Sequence, residues 1–180
     1  SSSGSMTVTL ETGSTDRTVS ITSISSATSA SGTYTVQAGD VSSDLTVKSI
    51  AVSGTISDAS DQAMVDFSIG ANLASSSAIV VDGVAPTVAS VKSTSTNTTY
   101  GTGASINITV NFSESVTLSS GGSMTVTLNS ATDRTVSITS ISSATSASGT
   151  YTVQDGDGSS DLSANSIELS SGATLSDAAG

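Results

Sequence analysis

The sequence predicts an all-β protein of tandem β-sandwich repeats, with a period of about 118 residues and two incomplete repeats in the chain. Three observations lead there. The segment "DRTVSITSISSATSASGTYTVQ" at 16–37 returns unchanged at 133–154, a shift of 117 residues. Short runs rich in Val, Ile and Thr alternate apolar and polar side chains with a period of two, as half-buried strands do. Clusters of Gly, Ser and Asp such as "SSGGS", "SASG" and "DGDG" separate those runs, and no stretch carries a helical period.

The repeat extends beyond its identical part. "SMTVTL" at 5–10 recurs at 123–128, and "SGTISDAS" at 53–60 answers "SGATLSDAA" at 171–179. This period suits a whole domain and is too long for a solenoid unit of roughly 20–45 residues. Residues 86–118 have no counterpart upstream, and residues 64–85 have none downstream. The window is therefore expected to be cut out of phase from a longer array. With strands lettered A to G, residues 1–85 are expected to hold the C-terminal part of one repeat, strands C–G. Residues 86–180 are expected to hold strands A–F of the next. On this frame an intact sandwich runs from Pro86 to about 22 residues beyond Gly180.

Each strand follows from its pattern. Strand A enters after Pro86. Strand B, "SINITVNF", turns Ile106, Ile108, Val110 and Phe112 to one face. Strand C is "MTVTL" at 6–10 and 124–128. Strand D, "RTVSITSI", keeps phase through Val136 and Ile138 and slips at Ile141, which predicts a bulge. "GTYTV" is E, and "NSIEL" with its counterpart "KSIAV" is F; "DFSI" and "AIVVD" complete the set. Branched side chains favour the pleated surface. About seven strands per period, 8–15 residues apart, read as an immunoglobulin-like sandwich.

Composition removes whole classes of function. The net charge is −11, with four basic residues and no His, Cys or Trp. Nucleic-acid binding needs clustered Lys and Arg, which are missing. No apolar run approaches the roughly 18 residues of a membrane span, so membrane insertion is not expected. Without cysteine there is no disulfide framework. An enzyme is not expected either. The usual nucleophile–base pairs need His or Cys, and a sugar-cleaving carboxylate pair normally sits in a cleft with stacking aromatics. A sugar-binding module is disfavoured for the same shortage of aromatics. A Lys–Asn isopeptide bond is not expected as a repeated feature, because Lys48 aligns with Asn165.

"VDGVAPTV" at the junction, then "ITVNFSESV", "YTVQDGD…SDL" and "LSDAAG", resembles the bacterial Ig-like (cadherin-like) repeats of very large secreted adhesins and surface fibre proteins. The resemblance spans nearly the whole period. It implies an extracellular, cell-surface stalk of tandem sandwiches, often stiffened by Ca²⁺ at the junctions, whose partners are neighbouring repeats of the same chain. Strand order then places the acids. Strand A runs away from the linker and B returns, so Glu114, just past B, is expected at the linker end. Asp177, in the loop after F, is expected at that same end. Asp82 lies in the linker itself. These three are the expected ligands of a Ca²⁺, which takes six to eight oxygens. Asp58 and Asp61 are expected at the equivalent junction of the first repeat. The plainer roles are a turn residue for Asp177 and Asp82 and a solvated loop charge for Glu114.

The loop "QDGDGSSDL" at 154–162 offers Asp155, Asp157 and Asp161 as another calcium cradle, but its counterpart "QAGDVSSDL" at 37–45 has Ala38 in place of Asp155. A turn is therefore the expected role. Asp16/Arg17 and Asp133/Arg134 are expected to make local turn or cross-strand contacts, worth less than about 1 kcal/mol when exposed. Tyr34 and Tyr151 are expected in the core with a hydroxyl tip. Beside the passive stalk stand two further readings. One is a self-assembling filament or surface-layer subunit that polymerises by strand donation or head-to-tail contacts. The other is a surface- or ice-binding module using Thr arrays, although strand propensity already explains the Thr pairs.

Overall fold

The computed structural model describes residues 4–22 and 24–180; Ser23, inside the first copy of the repeated segment, lies outside them. The chain forms two compact units, Ser1–Val84 and Ala85–Gly180. Both are β-structures, and among the described residues the sole helical turn is a 3-10 turn at Leu73–Ser75. No helix of the described residues is long and apolar enough to cross a membrane.

The second unit is built from β6 (Val88–Lys92), β7 (Ser105–Leu118), β8 (Met124–Leu128), β9 (Arg134–Ile138), β10 (Ala144–Thr152), β11 (Ala164–Leu169) and β12 (Leu175–Ser176). One sheet centres on β7, with β10 along one edge and β6 then β12 along the other. The second sheet runs β11-β8-β9, and all pairings are antiparallel. Ile108, Val110, Phe112, Val116 and Leu118 of β7 meet Met124, Val126, Leu128, Val136 and Ile138 of the other sheet in one sandwich-like core. The inward face expected for Ile106, Ile108, Val110 and Phe112 is the one observed.

The first unit has β1 (Ser5–Leu10), β2 (Arg17–Ile21), β3 (Val41–Ser42), β4 (Val47–Ser53) and β5 (Val81–Asp82). Its main sheet, β2-β1-β4, repeats the order and the hairpin register of β9-β8-β11, with Met6 opposite Ile21 as Met124 is opposite Ile138. Among the described residues its other pairing is the short β3–β5 pair. The core is correspondingly small: Leu10, Val19, Leu45 and Val81.

Several strand expectations are corrected. "SASG" at 146–149 is no turn but the middle of β10. A Cβ on Gly149 would collide with Val136 Cγ1 and come within 3.3 Å of Ile138 Cγ1. Glycine is there because the sheets approach closely, not because the chain bends. Strand D has no bulge at Ile141: β9 ends at Ile138, and the chain crosses to the other sheet, where Leu118 N–H bonds to the Ile141 carbonyl. The break in register lies in β7 instead, between the pairings Asn111–Ser146 and Val116–Ala144. "DFSI" is not a strand, and of "AIVVD" only Val81–Asp82 is paired. Val65 and Val80 nearby are largely exposed, so their apolar pattern has no partner sheet to bury it.

Candidate functional site

Glu114 lies inside β7, not just past the strand, in the stretch where the β10 ladder shifts register. On the opposite edge of β7 it falls between two neighbours. β6 begins just after Thr87, whose carbonyl accepts from Ser113 N–H at 2.9 Å. β12 arrives with Ser176 opposite Thr117, so Asp177 follows directly. Carboxylate oxygens of Glu114 and Asp177 consequently lie within 4.8 Å of each other. Both residues are half-buried. Asp177 Oδ1 already accepts from the N–H groups of Ala179 (2.7 Å) and Gly180 (2.9 Å).

Two carboxylate oxygens at that distance are close enough to share one metal ion. Ca–O bonds of about 2.3–2.6 Å put two ligand oxygens on one ion at most about 5 Å apart. Carboxylates are also the hard, anionic donors that ion prefers. Asp82 belongs to the first unit, where β5 pairs with β3 through Val41, and its Oδ1 accepts from Val84 N–H at 3.2 Å. Asp58 caps a tight hairpin closed by the bridge Ser57–Ala63, its Oδ1 accepting from Ser60 N–H (2.8 Å) and Gln62 N–H (3.0 Å). Asp61, in the same hairpin, has a left-handed backbone with φ +59.

The more elaborate site is the one sequence reasoning treated as a simple turn. Gln154–Asp157 is a tight turn with Gly156 at φ +82, a conformation that favours glycine. It turns the Asp157 side chain back into the unit, where it is almost wholly buried. Arg134 Nε–H donates to Asp157 Oδ1 at 2.6 Å, while the Tyr151 hydroxyl and Gln154 N–H (2.7 Å) donate to Oδ2. The first unit repeats the arrangement. Arg17 Nε–H donates to Asp40 Oδ1 at 2.7 Å, and Tyr34 O–H (2.6 Å) and Gln37 N–H (2.9 Å) donate to Oδ2. Its turn carries Gly39 at φ +87.

These contacts set the protonation of both acids. The Tyr151 hydroxyl is the largest influence on Asp157, and with Gln154 N–H and Arg134 it outweighs burial and holds the carboxyl below the ordinary range. At Asp40 burial is the largest influence and pushes the carboxyl up, but Tyr34, Gln37 and Arg17 together bring it below the ordinary range. Burial, then the hydrogen bond to Asp40, pushes the Tyr34 hydroxyl up to about 12. Tyr151 is raised for the same reasons. The expectation of weak local contacts for Arg17 and Arg134 is therefore corrected: each reaches 23 residues along the chain to a buried carboxylate. Asp16 and Asp133 stay outside the clamp. Lys48 pairs with Asp16 at 2.8 Å, and Asn165 donates to Asp133 at 3.3 Å.

As a calcium cradle the 154–162 loop is poorly placed. Asp157 has its oxygens occupied, whereas Asp155 and Asp161 are exposed. The loop also lies at the Ser105 end of β7, since Thr152 pairs with Ser105, away from Glu114. One signal in the sequence does point to the clamp. Arg, Tyr, Gly and Asp recur together in both copies while Asp155 does not, as a fold requirement would demand. No family model matches this chain, and no curated protein and no solved structure matches it.

Proposed function

We propose that the protein is a structural extracellular module of a bacterial surface stalk or fibre, stiffened by calcium where one repeat joins the next. The observation that carries this reading is the Glu114–Asp177 pair, two half-buried carboxylates within 4.8 Å beside the point where β6 enters its unit. Like charges this close repel, and a divalent cation between them offsets that repulsion. The role is mechanical: the ion limits bending at the junction and leaves the sheets unchanged.

Calcium titration by calorimetry tests it. The wild-type chain should bind with a dissociation constant on the order of 10⁻⁴ to 10⁻³ M, the range of extracellular modules. Glu114→Gln should abolish the heat at those concentrations. An unchanged isotherm in Glu114→Gln, or no binding by the wild type, overturns the reading.

A further inference from the structure

Three triplets of the chain have the order Asn-X-Ser/Thr that marks an acceptor of N-linked sugar: Asn97-Thr98-Thr99, Asn107-Ile108-Thr109 and Asn111-Phe112-Ser113. The fold treats them unequally. The last two lie in β7, flanked by β6 and β10. Asn107 Oδ1 accepts from the hydroxyls of Thr94 (3.1 Å) and Thr109 (2.7 Å), and the Thr109 hydroxyl also lies 2.8 Å from Ser148 Oγ. Asn111 Nδ2–H donates to Ser90 Oγ at 3.1 Å, and Ser113 Oγ accepts from Thr87 N–H at 2.9 Å. Both middle residues, Ile108 and Phe112, are buried in the core. An enzyme that grips the backbone of its acceptor cannot do so where ladder bonds occupy both sides of the strand.

Asn97 is placed differently. It sits between β6 and β7, where Asn97, Thr98 and Thr99 are all exposed and none belongs to a strand. The flanks of the triplet are tied down. Ser95 Oγ accepts from Asn107 N–H at 2.9 Å, and Tyr100 O–H donates to the Thr96 carbonyl at 2.8 Å, closing the chain around the triplet. Gly103, at φ +85, then turns the chain into β7. The triplet is thus held out at the apex of its loop. Neither Asn97 Nδ2 nor the Thr99 hydroxyl is engaged by another described residue.

We propose that Asn97 is a site of N-linked glycosylation, and that the fold selects it over Asn107 and Asn111. The donor is a sugar activated at C1 as its diphosphate, carried on a nucleotide or on a polyprenyl lipid. Asn97 Nδ2 attacks C1 and the Nδ2–C1 bond forms. The C1–O bond to the diphosphate breaks, the diphosphate leaves with the bonding pair, and the amide gives up one proton to the transferase. The Thr99 hydroxyl, two residues on, completes the acceptor triplet. The product is a bulky, solubilising surface group. It lies at the Ser105 end of β7, because β6 runs antiparallel to β7 and pairs Val88 with Phe112 and Lys92 with Thr109. This goes beyond the stalk reading and does not depend on calcium.

The test offers the full chain to two purified transferases: a soluble one with UDP-glucose, and a membrane oligosaccharyltransferase with a polyprenyl-diphosphate oligosaccharide. Intact mass should show one glycan per chain in at least one arm, and peptide mapping should place it on Asn97. The arm that transfers identifies the carrier. Asn97→Gln and Thr99→Ala should take no sugar, and Thr99→Ser should take it again. A synthetic peptide of residues 86–118, free of the sheets, should accept sugar at Asn107 or Asn111 as well as at Asn97. The proposal is overturned if the wild-type chain takes no sugar in either arm, or takes it on Asn107 or Asn111. A peptide that accepts at Asn97 alone would show that the triplet and not the fold makes the choice, and overturns it too.

Discussion

Arg134 donates to Asp157 across 2.6 Å, and the pair recurs as Arg17 and Asp40 at 2.7 Å. In each case the partners are 23 residues apart, and a tyrosine hydroxyl shares the carboxylate. The clamp ties the start of one strand to the turn that follows the next crossing segment. In the first unit it persists where the β-ladder does not.

Acid should therefore loosen both units. The carboxyls of Asp40 and Asp157 are held below their ordinary value of 3.8 in the folded chain. Their contribution is present above that value and is lost as pH falls through the lower folded value, because the unfolded chain takes up the protons first. Urea midpoints measured from pH 6 downward should fall most steeply below about pH 4. The double variant Asp40→Asn/Asp157→Asn should be less stable at neutral pH and show a flatter acid limb.

Alkali should act through the other partner. Tyr34 has its hydroxyl pushed up from 10.0 to about 12, so its contribution is present below pH 10 and is lost as pH rises through the folded value. Spectrophotometric titration should show tyrosine ionising later in the native chain than in urea. Tyr34→Phe should remove part of that late step. Coincident native and unfolded titrations would contradict the clamp.

Equal truncations should have unequal costs in the two units. Met124→Ala empties a fully covered site and should destabilise the second unit by about 2–5 kcal/mol. Met6→Ala removes a half-covered side chain, so the first unit should lose less than about 2 kcal/mol. Denaturant unfolding with exchange read separately in each unit measures both. Equal losses would mean the first unit's inner face is covered in solution.

Filling the inter-sheet contact should be costly in the middle of β10. Gly149→Val places branched methyls where a Cβ already collides with Val136, and overpacking of this kind costs about 1–3 kcal/mol. Gly121→Ala is a useful contrast. Its Cβ would meet nothing within 4 Å, so any loss there comes from its backbone at φ +75.

Chelation should change shape more than stability. In a chain carrying complete repeats on both sides of the linker, EDTA should broaden the interdomain distances seen by small-angle scattering. Glu114→Gln should mimic EDTA, while Asp155→Ala, which copies Ala38, should leave the profile unchanged. Identical profiles with and without calcium would leave stiffness to packing alone.

The residue order alone determined the local features: the alternation that turns Ile108, Val110 and Phe112 inward, and the Gly-dependent turns at Gln37–Asp40 and Gln154–Asp157. Such features depend on neighbours one to four positions away, so a linear reading finds them. Which carboxylate Arg134 would reach, and that Glu114 would sit in an irregular stretch of β7 rather than beyond it, depended on strands distant in sequence. The clearest case is the 22-residue repeat itself. One sequence is a strand over 144–152 and no strand over 27–35. A β-ladder needs the donors and acceptors of two strands, and the tertiary structure brings β7, more than 25 residues away in sequence, beside residues 144–152.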